Sequence, residues 1–471
     1  MNKTKIIATI GPASESKEIL KKLIEQGIDV VRVNLKHASY DFCRNLKLNI
    51  DSLNTEMKKN IAIMFDLRGP EIRTGKFMTG KANLIEKTKI RIYMDEILGD
   101  STKFSVNYKK LLKEVNFDTI IKINDGKIVL QVIDKGADYL LCLVISGGEI
   151  SDNKNVNAVG IRLNRPFVSD QDRQDIKFAC ELGIDFLALS FVETSENILE
   201  INDILINNGN DHIGIIAKIE NERAYEDIDD IIEYSEGIMV ARGDLGVQLP
   251  IERVPGIQKA IINKCHKMGK VSIVATEMMS SMEKSITPTR AEVSDVANAV
   301  LDGTDAVMLS GETTIGKFPV ETVETMSKIL TSAEIDIDYN DFMDRAIRSE
   351  ENNVAGMIAH NVSISASHLN CKAIFAPTMS GFTAKKISRY RPVCPIIAAS
   401  PNIETVKSLQ LYFGVLPILI DELKTFDKII EISKKKTSEE VQMEEKDKYI
   451  ITGGYPFKEI KYTNFMKIEE I

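Results

Sequence analysis

Lys218 and Glu220 stand two residues apart in the run Ile216-Ala217-Lys218-Ile219-Glu220-Asn221. On a strand, positions i and i+2 share one face, so the ammonium and the carboxylate project together. Asp244, in Ala241-Arg242-Gly243-Asp244, follows the next apolar run. With Glu220 it makes a two-oxygen site for a hard divalent ion. Mg2+ is held in this way, by one or two carboxylates plus substrate oxygens. No His/Cys cluster competes for a softer metal. Arg32 and Arg73 add to Lys218 to make three cations, a set suited to a phosphoryl group whose transition-state charge spreads over its oxygens. The plain alternatives are a Lys–Glu pair closing a barrel layer and arginines in surface ion pairs. The turns Gly11-Pro12-Ala13-Ser14 and Ala241–Gly246 offer backbone N–H groups to an anion, or serve only as tight connections.

The elements that carry these residues are short apolar runs. Eight stand out: Ile6–Ile10, Val30–Leu35, Ile61–Leu67, Phe186–Phe191, Ile213–Ile219, Gly237–Ala241, Val271–Ala275 and Ala306–Leu309. Most are continuous rather than alternating, as strands of a parallel sheet buried on both faces are. Amphipathic segments lie between most of them, such as Ser16–Gln26, Ser169–Leu182, Asn197–Asn207, Pro255–Lys267 and Thr289–Leu301. The repeat predicts an α/β fold, a (β/α)8 barrel, whose catalytic residues come from the C-terminal strand ends. Polar residues cluster at that end of nearly every run.

One connection, from Leu67 to Phe186, is far too long for a crossover. It holds the alternating runs Lys89–Tyr93, Thr119–Ile123, Lys127–Ile133 and Tyr139–Val144, with the hairpin signal Asn124-Asp125-Gly126. An all-β domain, a small β-barrel, is expected at 72–162, inserted into a catalytic barrel of 1–71 and 163–335. Strand-like runs Lys372–Pro377, Ile396–Ala399, Val415–Ile420 and Tyr449–Thr452 predict a C-terminal α/β domain at 336–471. Ser433–Lys448, with Lys434–Lys436 and Glu444-Glu445, reads as a solvated helix face.

Composition narrows the function classes. The 471 residues carry 60 Lys plus Arg against 69 Asp plus Glu, a net charge of −9, which speaks against nucleic acid as a bulk partner. At roughly 150 residues per domain the length suggests about three domains. No apolar run approaches the roughly 18 residues that span a bilayer, so no membrane partner is expected. The start lacks a secretory pattern. Cys43, Cys142, Cys180, Cys265, Cys371 and Cys394 are scattered without Cys-x-x-Cys, which fits reduced thiols and a cytoplasmic setting. There is no Gly-x-Ser-x-Gly elbow, Walker loop or Gly-x-Gly-x-x-Gly turn.

The motifs together resemble pyruvate kinase over nearly the whole chain. The resemblance rests on Thr9–Ser14, Arg32-Val33-Asn34, Gly69–Gly75, Ile216–Asn221, Gly237–Gly246, Pro288–Gly303 and Leu309–Thr313. It implies phosphoryl transfer from phosphoenolpyruvate to ADP, giving pyruvate and ATP. By the same resemblance Glu220 and Asp244 hold Mg2+ or Mn2+. Lys218 neutralises the phosphoryl group and the developing enolate, and Arg32 and Arg73 bind phosphoryl groups. The backbone of Ala241, Arg242, Gly243 and Asp244 with the Thr276 hydroxyl takes the substrate carboxylate, and Thr276 is implicated in protonating the enolate. Pro12, Asn34, His37, Arg73 and Lys154 are the implied nucleotide residues, with the inserted domain closing as a lid. A homotetramer is implied as well.

The sequence departs from the family pattern in four places. Lys36 replaces the Ser that joins Asn34, Asp66 and the Leu67 carbonyl around the family's monovalent cation. The expectation is that the Lys36 ammonium replaces K+, because the two cations repel strongly at close range. Glu71 argues the other way, since a Glu there accompanies K+ dependence; a Lys swung to solvent and a weakened site are the other readings. Leu67-Arg68 replaces Thr-Lys. Glu277 replaces Gln and Glu193 replaces Arg near the mouth. In the implied effector pocket, Thr378, Ser380 and Thr383 remain to hold a phosphate. Phe382 replaces Arg there, and the closing loop reads Pro456–Lys461, so control by a sugar bisphosphate is not expected, and a different sugar phosphate or no effector fits. The alternatives to an active enzyme are a catalytically silent paralogue binding nucleotide or phosphometabolites, and a Mg2+-dependent lyase that leaves ADP unused.

Overall fold

Eight parallel strands close into a barrel in the computed structural model, which describes all residues except 1, 163, 349–352, 422–424 and 457–461. The strands are Lys5–Thr9, Val30–Asn34, Ala62–Asp66, Phe186–Leu189, Gly214–Ile219, Gly237–Ala241, Val271–Ala275 and Ala306–Leu309. Each coincides with one of the apolar runs to within two residues. Their side chains divide by parity. Ile7, Val30, Met64, Ala188, Ile216, Met239, Ile273 and Met308 fill the barrel interior in one buried cluster. Ile6, Val31, Phe65, Leu187, Ala217, Val240, Val274 and Val307 face outward, against the surrounding helices.

That parity builds the mouth. Two residues beyond an interior apolar residue, the same face carries Thr9 after Ile7, Arg32 after Val30, Asp66 after Met64, Ser190 after Ala188, and Lys218 then Glu220 after Ile216. The packed layers of the barrel therefore end in a layer of polar side chains at the C-terminal rim, where barrels of this kind place their chemistry. Helix starts hold the surrounding ring in register. Ser169 and Asp172, and Thr289 and Glu292, form reciprocal capping boxes at Asp170–Leu182 and Arg290–Leu301.

The inserted segment is a seven-stranded sheet whose edge strands are Ile72–Arg73 and Lys103–Ser105, plus a two-stranded ribbon of Lys81–Leu84 and Gly148–Ser151. A bridge between Thr74 and Val106 joins the two edges and closes the sheet on itself. The hairpin signal turns as expected: Asn124, Asp125 and Gly126 all have positive φ between the paired strands Ile120–Ile123 and Ile128–Lys135. A single helical turn, Leu111–Glu114, interrupts the all-β pattern.

The C-terminal sheet has the order Val415–Leu419, Ile396–Ser400, Ala373–Pro377, Lys448–Gly453, Phe465–Glu470, with the last strand antiparallel. That strand is absent from the sequence-based expectation: at the sheet edge its side chains stay half-exposed, so no apolar run marks it. The charged helix runs Phe426–Glu440 rather than into 448, and it buries Ser433 and Thr437 against the sheet. Glu444 and Glu445 lie beyond its end.

Carboxylates just ahead of barrel strands tie the barrel floor to this domain. Asp305 pairs with Arg391 at 2.7 Å and accepts the Ser272 N–H at 2.9 Å. Glu236 bonds Lys385 and accepts the Tyr412 hydroxyl at 2.7 Å. Asp185 accepts the Ile63 N–H at 2.7 Å beside Lys407, and Lys5, paired with Asp29, donates to the Val415 carbonyl at 2.7 Å. Interior barrel residues and the inner face of the C-terminal sheet belong to one continuous apolar cluster.

Candidate active site

Asp66 organises the rim. Its Oδ2 accepts from Arg32 Nε at 2.9 Å and from the same guanidinium's terminal nitrogen at 2.5 Å, while Oδ1 lies 3.3 Å from Lys218 Nζ. Arg32 is fixed further by a 2.9 Å bond to the Thr9 hydroxyl. Lys218 donates to Ser190 Oγ at 2.8 Å and lies 2.9 Å from Glu220 Oε1. Glu220 Oε2 accepts the Phe191 N–H at 2.9 Å. That amide points inward because Phe191 holds a left-handed φ of 58°, an unusual state for a bulky side chain. The neighbouring Gly69 permits it: a Cβ there would lie 2.9 Å from both Phe191 and Ser190.

The charges perturb one another. Burial opposes ionisation of Asp66, yet Lys218 and Arg32 beside it hold its carboxyl below the usual range. Burial likewise opposes the charge on Lys218, but Asp66, Glu220 and Asp244 together push its pKa up. Burial is the largest cause at Glu220, which is pushed up to about 7 against the pull of Lys218, with Asp244 adding to the rise. Asp244 is raised too, by burial first. Two carboxylates that both resist ionisation, close enough to feel each other, form a natural divalent-cation site. The Asp244 carboxylate, in the first turn of Arg242–Gln248, has no hydrogen bond or ion pair among the described residues. No group of three or more His, Cys, Asp or Glu is placed to hold a metal among the described residues, so substrate oxygens would complete the shell around Glu220 and Asp244.

Across the mouth, Thr276 has φ of 67° and Glu277 has φ of 54°. For a β-branched residue this is strained backbone, and strain of that kind collects at functional sites. It turns the Thr276 hydroxyl to accept the Gly243 N–H at 2.8 Å while donating to the Ala275 carbonyl at 2.7 Å. Arg242 packs under this corner, bonded to Asp295 at 2.7 Å and to the Thr276 carbonyl at 2.7 Å. Its guanidinium is thus committed to structure.

Arg73 sits on the inserted domain, outside the Asp66 cluster. It bonds Glu71 Oε2 from Nε at 2.9 Å and from a terminal nitrogen at 2.6 Å, and donates to the Asn153 carbonyl at 2.7 Å. Lys154 immediately precedes the adjoining strand Asn155–Ala158, its backbone bonded to Thr74. His37 shares this neighbourhood: burial first, then Lys36 and Arg73, hold its imidazole below the usual range. Pro12 is exposed at the rim beside Gly11, which packs against Thr314. A cavity of about 350 Å³ opens between the inserted domain and the barrel, lined by Glu71, Asn155, Arg165, Phe191, Glu193 and Asn221.

The groups named for a monovalent cation all have protein partners. Asn34 Oδ1 accepts the Lys36 N–H at 3.0 Å, and the Leu67 carbonyl accepts the Ser190 hydroxyl at 3.0 Å. Both Asp66 oxygens are taken, as described above, and the Lys36 ammonium bonds Glu71. Arg68 is drawn away from the mouth to buried Asp175, at 3.1 Å. Glu193 pairs with Arg223 at 3.1 Å. In the C-terminal domain, the Thr383 hydroxyl is bonded to Thr463 at 2.8 Å and Thr378 is buried, whereas Ser380 lines a cleft of about 460 Å³ facing the barrel floor. In the closing loop, Phe457–Lys461 lie outside the described residues.

Ser190 and Thr9 are hydroxyls at the C-terminal strand ends, and they orient Lys218 and Arg32. Glu312, which accepts the Ser310 and Met279 N–H groups, and Asp295 under Arg242 fall in the runs Leu309–Thr313 and Pro288–Gly303, where residue type alone assigns them no role. Only the closed ring brings them to the mouth.

Residues 1–323 match the family described as pyruvate kinase, barrel domain, and residues 356–469 match pyruvate kinase, alpha/beta domain. A pyruvate kinase of Sporosarcina psychrophila is 43% identical, across the whole of this chain and 81% of that protein. One from Clostridium perfringens is 42% identical, across the whole of both. The solved structure of a pyruvate kinase from Cryptosporidium parvum superposes with a TM-score of 0.94 at 36% identity, covering all of this chain and 96% of that one. Matches that run through the barrel and the C-terminal domain alike, on a chain whose barrel rim gathers these cations and carboxylates, show that it belongs to the pyruvate kinase family.

Proposed function

We propose that the barrel mouth transfers the phosphoryl group of phosphoenolpyruvate to ADP, with Lys218 as the central cation. The observation that carries this reading is the convergence of Arg32 and Lys218 on Asp66, with Glu220 paired to Lys218, beside the unpartnered carboxylate of Asp244. In this reading Arg32 and Lys218 hold the phosphoryl oxygens. The backbone of Ala241–Asp244 and the Thr276 hydroxyl, which exchanges its bonds to Gly243 and Ala275 for substrate, take the substrate carboxylate. Arg73 meets the transferred group from the lid and, with Pro12, Asn34, His37 and Lys154, borders the nucleotide.

A β-phosphate oxygen of ADP forms the new bond to phosphorus as the bond to the enol oxygen breaks. Lys218 neutralises charge on the oxygen that departs, and the resulting enolate takes a proton at carbon to become pyruvate, on the side of Thr276. Mg2+ or Mn2+, held by Glu220 and Asp244, would supply fixed positive charge on phosphoryl and carboxylate oxygens. Prepositioned cations in a site from which a closing lid excludes water lower the barrier by cancelling charge without reorganisation. A coupled assay for ADP-dependent pyruvate formation tests this. Absence of turnover with intact phosphoenolpyruvate binding would instead favour a silent paralogue, and pyruvate release without ADP would favour a lyase.

The Lys36 ammonium is read as the internal replacement for K+. It supplies a fixed positive charge beside the mouth, while the expected oxygen ligands are bonded to protein donors. Full activity in buffers free of monovalent metal ions is expected, and a strict K+ requirement would overturn this. Assembly as a homotetramer, a cytoplasmic setting and a phosphate effector at Ser380 and its neighbours rest on family membership. Light scattering and thermal shifts with sugar phosphates test the first and last. Among the described residues no helix is long and apolar enough to cross a membrane.

A further inference from the structure

Three charged side chains cross from the barrel to the lid in one chain of bonds. Lys36 follows the second barrel strand, Glu71 stands on the outgoing connection, and Arg73 is on the first lid strand. Glu71 Oε1 takes the Lys36 ammonium, and its Oε2 takes two nitrogens of Arg73, at 2.9 and 2.6 Å. The third arm of Arg73 reaches the Asn153 carbonyl at 2.7 Å, on the segment returning to the barrel, where Asn155 pairs with Arg73 in the sheet. Arg73 therefore staples both lid connections together, and Glu71, only 11% exposed, moors that staple to the barrel through Lys36.

We propose that Glu71 is the positioning residue of Arg73 and that Lys36 sets Glu71, so that the barrel decides through this relay where the lid arginine points. The inference rests on the reading of Arg73 as a phosphoryl-binding residue. A carboxylate shared by two cations holds each of them in a defined direction, and the two-nitrogen contact with Arg73 adds angular control. Without Glu71, Lys36 and Arg73 become two like charges in one half-buried space and repel. Without Lys36, Glu71 loses its anchor on the barrel and no longer presents a fixed acceptor to the lid. Arg32 and Lys218 are held separately by Asp66, so the relay bears on the contacts made from the lid and leaves those made from the barrel alone.

The test is a double-mutant cycle of Lys36→Met and Glu71→Gln, read as separate KM values for ADP and phosphoenolpyruvate and as kcat, with and without K+. Each single variant is expected to raise the KM for ADP and lower kcat by about tenfold, with the KM for phosphoenolpyruvate changed less than about threefold. The double variant should be no more than about twofold worse than the worse single one, because members of one chain do not add. Lys36→Arg should recover most of the loss. Independent, multiplying losses overturn the relay, as does an unchanged KM for ADP. A variant that melts early is replaced by Lys36→Gln, judged by the same split. Full activity of Arg73→Met would sink the functional reading of Arg73 itself, a result distinct from failure of the relay. K+ activation of the wild type would sink the internal-cation reading and leave the cycle informative.

Discussion

Lys218 Nζ and Glu220 Oε1 lie 2.9 Å apart, so the cation assigned to the phosphoryl group and a carboxylate assigned to the metal form one buried pair. Each holds the other in its charged form in a place where burial disfavours both charges. Such a pair is weak evidence for stability and stronger evidence for function, since removing water from two charges costs several kcal/mol per ion before their attraction offsets it.

Lys218→Met is therefore expected to abolish turnover while sparing the fold. Asp66 keeps Arg32, and Glu220, already pushed up to about 7, takes a proton when its partner is gone. The loss of kcat should reach about 10³-fold, the upper end for a single preorganised charge donor. Steady-state kinetics and far-UV circular dichroism check the two halves.

Glu220→Gln is expected to separate stability from activity. The amide oxygen can keep the bond from the Phe191 N–H, while its NH2 cannot accept from Lys218, which retains Asp66 and Ser190; the change also removes a buried charge that faces Asp244. Metal-free Glu220→Gln should melt no lower than the metal-free wild type at pH 8. Its activity with Mg2+ should fall at least about 100-fold, as should that of the wild type treated with a chelator. Recovery of the variant by excess Mg2+ to wild-type rates would count against Glu220 as a metal ligand.

His266 makes a pH-dependent prediction away from the mouth. It is buried between Phe342 and the C-terminal domain, its Nε2 has no partner among the described residues, and burial, with Arg391 adding, lowers its pKa to about 3. The unfolded chain protonates it near 6.5, and the folded chain resists until about 3. Stability is thus complete above pH 6.5 and is lost as pH falls below it, by about 2 kcal/mol at pH 5. In His266→Leu that slope should vanish: the gap between wild-type and variant melting temperatures should narrow or reverse from pH 8 to pH 5. A constant gap would mean that the ring protonates freely in the folded state.

Asp305→Ala should be among the most destabilising substitutions on the barrel floor. It removes the ion-pair partner of Arg391, which is 3% exposed and keeps only the Gly303 carbonyl among the described residues, and leaves the Ser272 N–H without an acceptor. Breaking a buried pair from one side costs about 3–5 kcal/mol. Urea unfolding should show that loss, and a shift below about 1 kcal/mol would mean that water or another carboxylate replaces Asp305.

Much of this was legible from residue types. The eight barrel strands are continuous apolar runs because both of their faces are buried, and the i, i+2 rule placed Lys218 and Glu220 on one face. The terminal strand Phe465–Glu470 was missed because an exposed sheet edge leaves no apolar signature. The charged helix was misplaced because Ser433 and Thr437, polar in type, face inward. Asp295 and Glu312 lie in runs that carry the family resemblance, but their roles were not legible, because Asp295 holds a guanidinium 53 positions away and Glu312 an N–H group 33 positions away.

Local chemistry, period and motif are properties of neighbouring residues, and from them alone came the barrel, the inserted β-domain, the family resemblance and the identities of Arg32, Lys218, Glu220 and Asp244. Partnership is a property of closure. Only the folded ring decided that Asp66 holds both Arg32 and Lys218, that a strained Thr276 turns its hydroxyl to Gly243, and that Lys36 bonds Glu71 rather than the oxygens around Asn34. Those choices depend on which strands become neighbours and on distances of a few ångströms between residues tens or hundreds of positions apart, which no local pattern encodes.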